Sequence, residues 1–456
     1  MQRWWTQHTS GSGEDGRKRD RREALLLLRG GLCALCRDRA QAERRWLAYF
    51  VAENHTDAAV LARLEACAGF CPAHTRLLLE NSSAPWLMPQ VAQVALAGAE
   101  HLLSGTGPQA RCPLCQSLAE GTERSIHTLL RALDQEEVRE TLTAEPVLCL
   151  PHTLALAARA RPGEHRRLLD AALKHLAAPD AGLDLVAGED PDAAARTRRS
   201  RNLDPLLDAE PDIAARSAGG RWEADTALAC CPVCLAEQRA VRRLLCWQAR
   251  DRDPTTRASG QETELCAGHL HDLTAVGGPR VDEIVGVNGQ RARTDLTRHL
   301  DRGGTGADLT RHLDRGGTGA DLTRHLDRGG TGADLAAVQP HCRACAEEER
   351  AGLREYALAA AALTDPLRAR RFEHAHGLCL HHVLTWPGGT PPPTSVAVVL
   401  RARLALLGWE IDEALRKQDW RTRHEVRGSE TSAGLRAPAL LDGRVYAGLP
   451  APDATG

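Results

Sequence analysis

The chain has 456 residues, more than one hydrophobic core usually organises, so several modules are expected. Hydrophobic residues make up 43%, but Phe and Tyr number only three each, so any core consists mainly of Leu, Ala and Val and would gain from a cross-link. The 58 Lys and Arg against 60 Asp and Glu give a net charge of -2, which provides no general attraction for nucleic acid or an anionic membrane, and no apolar run reaches the roughly 18 residues that span a bilayer.

The first two predicted modules follow one another directly, over residues 23–105 and 106–179. In the first, apolar residues at helical spacing predict helices over residues 42–52 and 91–103. In the second, residues 164–176 carry the same helical pattern. Ahead of both modules, residues 1–22 look poorly ordered at their extreme.

Two inserts separate the later modules. Residues 180–221 are rich in Asp, Ala, Arg and Pro with few large apolar residues, which is typical of a disordered linker. The third module covers residues 222–294. After it, a linker over residues 295–335 contains three identical 13-residue copies that begin at Asp295, and such identity indicates a recently duplicated, length-variable connection.

The fourth module covers residues 336–427, with helices predicted over residues 347–363 and 395–416. A C-terminal tail, residues 428–456, follows it. Strand patterns are nearly absent from the whole chain. The sequence therefore favours an all-α protein.

Each module contains a C-x-x-C pair followed by a C-x-x-H pair, with 34, 33, 31 and 33 residues between them. The four sets are Cys33, Cys36, Cys71 and His74; Cys112, Cys115, Cys149 and His152; Cys231, Cys234, Cys266 and His269; and Cys342, Cys345, Cys379 and His382. Thiolate and imidazole suit tetrahedral zinc, and four protein ligands leave no position for water or substrate, which is typical of a structural site. The prediction is four tandem zinc-stapled helical modules joined by partly disordered linkers, with about four zinc ions per chain.

Other interpretations of the cysteines stay open. An iron–sulfur cluster also takes thiolates with occasional His, and C-x-x-C alone occurs in redox dithiols, although no βαβ pattern surrounds it here. Three cysteines have no repeat partner: Cys67, Cys230 and Cys246. Cys230 and His381 are alternative ligands because each adjoins a predicted one. Without a signal-peptide core the protein is expected in the cytoplasm, where thiols stay reduced and bind metal.

The repeats resemble those of a family of uncharacterised bacterial and archaeal proteins, which read C-P-x-C, a helix, and then Gly-Phe-Cys or Gly-Leu-Cys before His. The matching stretches are Glu53-Asn54, Asp57, Gly69-Phe70-Cys71-Pro72-Ala73-His74, Cys112-Pro113-Leu114-Cys115, Cys231-Pro232-Val233-Cys234 and Gly377-Leu378-Cys379. Near the C-terminus, Asp419-Trp420-Arg421 with Glu425 and Glu430 is similar to that family's Asp-aromatic-Arg motif. The resemblance implies metal binding and names no activity.

Three functions fit these observations. The first is a non-enzymatic scaffold whose partner is expected to be a protein rather than nucleic acid or a membrane. The second is a zinc or thiol redox sensor, for which Arg37 and Arg39 beside Cys36 give an electropositive setting. The third is an enzyme, although the sequence favours no catalytic activity, and it would use Asp419, Arg421, His424 and Glu425. The candidate partner surface consists of these four residues together with Trp420 and Glu430. The alternative for this cluster is that Trp420 packs the last helix onto the fourth module.

Overall fold

A computed structural model describes residues 14–30, 33–80, 85–105, 110–178, 182–188, 231–250, 264–305, 342–374, 376–387 and 392–445. Within these ranges the chain forms eighteen α-helices and four short 3-10 turns, and it contains no β-strand. The all-α prediction is therefore confirmed.

The helices divide at the gap that ends at residue 230. The N-terminal ten are α1 (Glu14–Leu28), α2 (Ala34–Ala52), α3 (Ala58–Ala66), α4 (Pro72–Glu80), α5 (Met88–Leu103), α6 (Pro113–Ala132), α7 (Glu136–Ala144), α8 (Leu150–Arg159), α9 (Pro162–Leu176) and α10 (Leu183–Ala187). The C-terminal eight are α11 (Pro232–Ala249), α12 (Ala267–Val276), α13 (Val281–Asp301), α14 (Arg343–Leu363), α15 (Pro366–His374), α16 (Leu380–Leu384), α17 (Thr394–Arg416) and α18 (Ala433–Leu441).

The five predicted helices all lie within observed ones: α2, α5, α9, α14 and α17. Local signals explain where several of the helices begin. Asp57, one of the family-like residues, is the N-cap of α3, and its carboxylate accepts hydrogen bonds from the amides of Ala59 and Val60 at 2.8 and 3.0 Å. Proline occupies the first turn of α8 and α9, where its missing N–H costs nothing.

Two compact units make up the chain. The first comprises Met1–Glu43, Leu118–Pro191 and Ala249–Asp321. Within it, α9 packs against α7, α8 and α13, and α10 packs against α8, α12 and α13. Its core is aliphatic, with fully buried side chains such as Leu129, Leu169 and Ile284, in keeping with the scarcity of aromatic residues.

The second unit comprises Arg44–Ser117, Asp192–Gln248 and Leu322–Gly456. Its central helix is α5, which contacts α3, α16, α17 and α18. Trp46, Phe50 and Phe70 form a cluster in which the ring centroids are 5.2–5.8 Å apart. Each such aromatic pair adds about 0.5–1.5 kcal/mol beyond area burial, so this cluster strengthens a core that is otherwise mainly Leu, Val and Ala.

Three segments expected to be linker or tail are folded where the structure describes them. Within the predicted linker 180–221, residues 183–187 form α10, in which Val186 and Ala187 are buried. Residues 429–445 form α18 and two 3-10 turns, and α18 packs on α5 with Ala433 and Ala437 fully buried. The first tandem copy begins inside α13, where Leu296 is 5% exposed. Most of the other predicted linker residues, 189–221 and 306–335, lie outside the described residues.

Candidate metal centres

Every ligand pair occupies the first turn of a helix. In all eight pairs the carbonyl oxygen of the first Cys accepts a hydrogen bond from the amide four residues later, at 2.9–3.1 Å. The second ligand, three residues on, therefore lies one turn along the same face of the helix. This holds for the C-x-x-C pairs as well as for the C-x-x-H pairs. The partial positive charge of a helix N-terminus stabilises a thiolate there.

The structure pairs these half-sites differently from the sequence prediction. Cys33 and Cys36 lie with Cys149 and His152, the "Cys149 centre". Cys71 and His74 lie with Cys112 and Cys115, the "Cys112 centre". Cys231 and Cys234 lie with Cys379 and His382, the "Cys231 centre". The expected pairing of each C-x-x-C with the C-x-x-H that follows it is therefore wrong.

The long helix after each C-x-x-C pair explains why that pair does not meet the C-x-x-H pair that follows it. Helix α2 has 19 residues and carries the chain about 24 Å from Cys36 to the helix end at Ala52, whereas α3 has only nine residues with which to return before Cys71. Helices α6 and α7, with 20 and nine residues, repeat the arrangement after Cys115. In sequence, the Cys112 centre is consequently nested inside the span that the Cys149 centre closes.

The Cys149 centre lies in the first unit. The Sγ atoms of Cys36 and Cys149 are 3.8 Å apart, and Nδ1 of His152 lies 3.1–3.4 Å from all three Sγ atoms of the centre. Gly188, which ends α10 with φ +83°, covers the centre so closely that a Cβ atom would lie 3.1 Å from Sγ of Cys149 and 3.2 Å from Sγ of Cys36. Only a glycine leaves this space for the sulfur atoms and an ion.

The Cys112 centre lies in the second unit. Sγ of Cys71 is 3.6 Å from Sγ of Cys115, and Nδ1 of His74 is 3.2–3.4 Å from the three Sγ atoms. Cys112 and His74 are buried, whereas Cys71 and Cys115 are partly exposed. This centre therefore has two sulfur ligands that solvent reaches.

The Cys231 centre, also in the second unit, is the most enclosed of the three. All four of its ligands are at most 2% exposed. Sγ of Cys234 is 3.7 Å from Sγ of Cys379, and Nδ1 of His382 is 3.2–3.5 Å from the three Sγ atoms. Gly443 closes this centre as Gly188 closes the other, because a Cβ there would lie 2.9 Å from Sγ of Cys234.

These distances fit a tetrahedral metal ion. Zinc–sulfur bonds of about 2.3 Å and zinc–nitrogen bonds of about 2.0–2.1 Å place two sulfurs about 3.8 Å apart and sulfur about 3.6 Å from nitrogen. The observed separations are 3.6–3.8 Å between Sγ atoms and 3.1–3.5 Å from Sγ to Nδ1. A disulfide bond of about 2.05 Å is far shorter. The three centres are therefore compatible with metal binding through three sulfurs and one Nδ1 each.

The remaining four predicted ligands are divided between the two units. Cys266 and His269 belong to the first, with Sγ 3.3 Å from Nδ1. Cys342 and Cys345 belong to the second, at the start of α14. Each pair has the same half-site geometry as its counterparts in the three centres.

The alternative ligands stay outside the centres where they are described. Sγ of Cys67 donates to the carbonyl of Gly69 at 2.9 Å, and burial raises the pKa of this thiol to about 12, so it is not a reactive thiolate. Cys246 belongs to none of the ligand groups, and His382 rather than His381 faces the sulfurs. Cys230 lies outside the described residues.

Crowding of thiols and imidazole shifts the pKa values at the Cys149 centre. Hydrogen bonds with Cys149 and Cys36 lower the pKa of the Cys33 thiol despite its burial. Burial acts to lower the pKa of His152, but hydrogen bonds with Cys33 and Cys36 outweigh it and raise that pKa to about 10. The centre thus binds protons that a metal ion must displace, which couples metal affinity to pH.

The C-terminal cluster, apart from Glu430, lies on a loop after α17, residues 417–428, here called the Trp420 loop. Glu430 lies in the 3-10 turn that follows the loop. Trp420 is 70% exposed, so the expectation that it packs the last helix onto a module is wrong. The guanidinium of Arg421 lies 5.5 Å from the Trp420 ring centroid. The backbone amide of Arg421 donates a hydrogen bond to Oδ1 of Asp419 at 2.9 Å. His424 is exposed. Glu425 pairs with Arg416, and Glu430 pairs with Lys417.

Arg37 has a structural task that the sequence did not reveal. Its guanidinium donates to the carbonyl oxygens of Leu27, Arg29 and Gly30 at 2.5–2.8 Å, which satisfies the C-terminal end of α1. Arg37 therefore holds the end of α1, and the electropositive setting of Cys36 stays a prediction.

No family model matches the chain, and the comparisons find neither a curated protein nor a solved structure similar to it. The resemblance described from the sequence therefore stays a prediction. Among the described helices, none combines the length and the apolar character that crossing a membrane requires.

Proposed function

We propose that this protein is a zinc-bound helical scaffold of the reducing cytoplasm, which presents the Trp420 loop to a protein partner and catalyses no reaction. Zinc is the ion that three thiolates and one imidazole favour, and its full coordination shell makes each site structural. The pairs Cys266/His269 and Cys342/Cys345 carry the same kinds of donor, and from the twelve cysteines and four histidines of the repeats we expect about four zinc ions per chain. An iron–sulfur cluster is disfavoured because the ligand atoms of each complete centre lie within 4.8 Å of one another, around a single ion.

Side-chain contacts brace the Trp420 loop. Nζ of Lys417 donates to a carboxylate oxygen of Glu430 at 2.9 Å and to the carbonyl of Val426 at 2.6 Å. Arg416 donates to Glu425 at 3.0 Å, and the arginine lowers the pKa of this carboxylate. The C-terminal part of the loop is therefore held against the end of α17, where the loop begins.

On this fixed loop, large apolar side chains face solvent. Trp420 is 70% exposed and Val426 is 90% exposed, and Arg421 lies against the Trp420 ring. Trp and Arg are the residues that most often dominate binding energy, and a preorganised backbone lowers the entropy cost of association. An exposed tryptophan on a braced loop is the single observation that carries the proposal of a partner.

Elemental analysis tests the zinc part of the proposal. Protein purified without chelator should contain about four zinc ions per chain. Removal of the zinc by a chelator should unfold the helical units, because the free energy of zinc binding also drives folding in small zinc-dependent modules. Protein that contains iron, or that keeps its full helicity and melting temperature without metal, would contradict the proposal.

Site-specific photocrosslinking tests the partner part. A photoreactive phenylalanine analogue in place of Trp420 should give a discrete crosslinked protein in the native cell, and Arg421→Ala should weaken the adduct without changing zinc content. The matched control places the same analogue at Tyr49, an aromatic residue of the second unit that is 53% exposed. The same adducts from both positions, or none from Trp420, would refute a dedicated surface on this loop.

One observation favours a second candidate, a zinc and thiol redox sensor. In the Cys112 centre, Cys71 and Cys115 are both partly exposed and their Sγ atoms are 3.6 Å apart. Oxidation of these thiolates to a disulfide would remove two ligands of one zinc ion. Titration with hydrogen peroxide tests this function. A sensor should lose one zinc ion per chain at a low peroxide concentration and bind it again after reduction. The enzyme alternative gains no such support, because the carboxylates of Glu425 and Glu430 are held in ion pairs.

A further inference from the structure

The histidine of the Cys231 centre has a second partner behind its ligand atom. Nδ1 of His382 faces the three sulfurs, while Nε2 lies 3.3 and 3.2 Å from the two carboxylate oxygens of Glu237. The side chain of His382 is 3% exposed and that of Glu237 is 15% exposed. Water is therefore largely excluded from the contact between them.

We propose that Glu237 is the positioning residue that holds His382 ready for metal and makes the Cys231 centre slower to release its ion than the Cys149 and Cys112 centres. The inference rests on the proposed function in one respect, that these centres bind zinc. Glu237 itself does not touch the metal position. It acts through the imidazole, by accepting the Nε2–H proton in a hydrogen bond.

This hydrogen bond has two chemical effects. It fixes the tautomer in which Nδ1 carries the lone pair, so no rearrangement of the ring precedes metal binding. It also raises the basicity of the ligand nitrogen, as carboxylate partners of zinc-bound histidines do in general. Greater basicity would strengthen the bond between the imidazole and an ion, and the fixed tautomer would let a separated imidazole bind again without rearrangement, so the two effects together would slow metal loss.

The position of Glu237 is built into α11. It lies three residues after Cys234, one helical turn further from the helix N-terminus. The equivalent residues after the second cysteine of the other C-x-x-C pairs are Arg39, Leu118 and Glu348. Arg39 and Leu118 offer no acceptor for a ring N–H, so the Cys149 and Cys112 centres receive no carboxylate from this position.

A neighbouring helix fixes the carboxylate in place. Gly352 of α14 approaches so closely that a Cβ atom there would lie 2.5 Å from a carboxylate oxygen of Glu237. The hydroxyl of Tyr356, one turn further along α14, donates to the backbone carbonyl of His382 at 3.0 Å. The same helix therefore confines the glutamate and anchors the segment that carries the histidine.

Residue-resolved alkylation of the full-length zinc-loaded protein tests this assignment. The protein is incubated with excess chelator and N-ethylmaleimide, and mass spectrometry follows the modification of each cysteine. In the unmodified protein, Cys231, Cys234 and Cys379 should react after the cysteines of the other two centres. In Glu237→Ala these three should react 10- to 100-fold faster, with Glu237→Gln intermediate because it keeps the shape and loses the charge.

The cysteines of the Cys149 centre serve as an internal control, since their alkylation rates should not change. Glu283→Gln is the matched substitution, because the carboxylate of Glu283 pairs with Arg280 at the surface. Cobalt-substituted protein should show the same spectrum with and without Glu237, since the ligands stay the same.

Each outcome has a separate meaning. If every cysteine of the unmodified protein reacts at once and no zinc is found, the proposed function fails. If zinc is present but the Cys231 centre reacts equally fast in all variants, Glu237 has no positioning role. Equal acceleration at all centres would mean general destabilisation and would also overturn the inference. Should the alanine variant not fold, the glutamine variant decides by the same measurements.

Discussion

Cys149→Ser separates the observed ligand pairing from pairing within each repeat. The structure places Cys149 with Cys33 and Cys36, so this substitution should remove their zinc and leave Cys112 and Cys115 protected. Pairing within the repeat would give the opposite result, because Cys149 would then share an ion with Cys112 and Cys115. The two arrangements predict the same zinc content, about one ion fewer per chain, and differ only in which thiols become reactive.

The cost in stability follows from the length of chain that the metal closes. Cys36 and Cys149 are 113 residues apart, and a cross-link over such a span reduces the entropy of the unfolded chain by about 5 kcal/mol at 25 °C, by the relation used for disulfides. Pairing within a repeat would close about 35 residues and contribute about 4 kcal/mol. Stability alone therefore does not distinguish the two, and the identity of the exposed thiols must.

Thiol labelling followed by peptide mass analysis is the appropriate assay. The variant should show fast labelling at Cys33 and Cys36, with a large fall in the melting temperature of the first unit. Cys149→Ala serves as a second version without a hydroxyl ligand. Fast labelling at Cys112 and Cys115, with Cys33 still protected, would refute the observed pairing.

The remaining predictions concern packing, pH and the tandem array. Gly443→Ala should destabilise the protein by about 1–3 kcal/mol and weaken zinc binding at the Cys231 centre, because the added methyl group would lie 2.9 Å from Sγ of Cys234. Gly408 lies in α17 with open space around it, so Gly408→Ala should instead stabilise the protein by up to about 1 kcal/mol in the same denaturation experiment. Acidification from pH 7 to pH 5 should destabilise the protein, because burial, assisted by Arg444, lowers the pKa of His381 to about 4. The unfolded chain therefore takes up a proton near pH 6.5 that the folded chain does not. Unfolding curves across this pH range check the prediction, and stability that rises on acidification would contradict it. Deleting residues 308–333, two copies of the array, should leave zinc content unchanged and shift stability by only about 1 kcal/mol, because loop-closure entropy varies slowly with length, whereas a large fall in melting temperature would show that the array is packed.

Much of the helical fold could be predicted from the sequence, because helical periodicity is a local property. Residues 347–363 and 395–416 were placed to within a few residues of α14 and α17. Helix α18 was missed because its sequence is short, rich in alanine and contains Pro438, which usually ends a helix. Its burial against α5 stabilises it, and no local pattern reports that contact.

The candidate ligands could be identified from spacing, but their partners could not. A three-residue spacing specifies only how two side chains share a helical turn. It does not specify which other half-site lies beside them. Which half-site meets another depends on the lengths of the helices between them, as α2 and α3 show. Glu237 had a usable signal, its place one turn after Cys234, whereas Gly188 and Gly443 are distant in sequence from the sulfurs that they cover.

The nested pairing sets a schedule for biosynthesis. At 5–20 residues per second, ribosomes need roughly 2–9 s to add the 44 residues between Cys71 and Cys115, and roughly 6–23 s for the 113 between Cys36 and Cys149. The inner centre therefore becomes complete on the nascent chain while Cys33 and Cys36 still wait for their partners. Cys234 waits longer again, for the 145 residues to Cys379. With zinc bound as proposed, the emerging thiols would be open to oxidation or to a wrong zinc partner during these intervals, so we expect the yield of correctly paired protein to depend on the supply of zinc and reductant during translation.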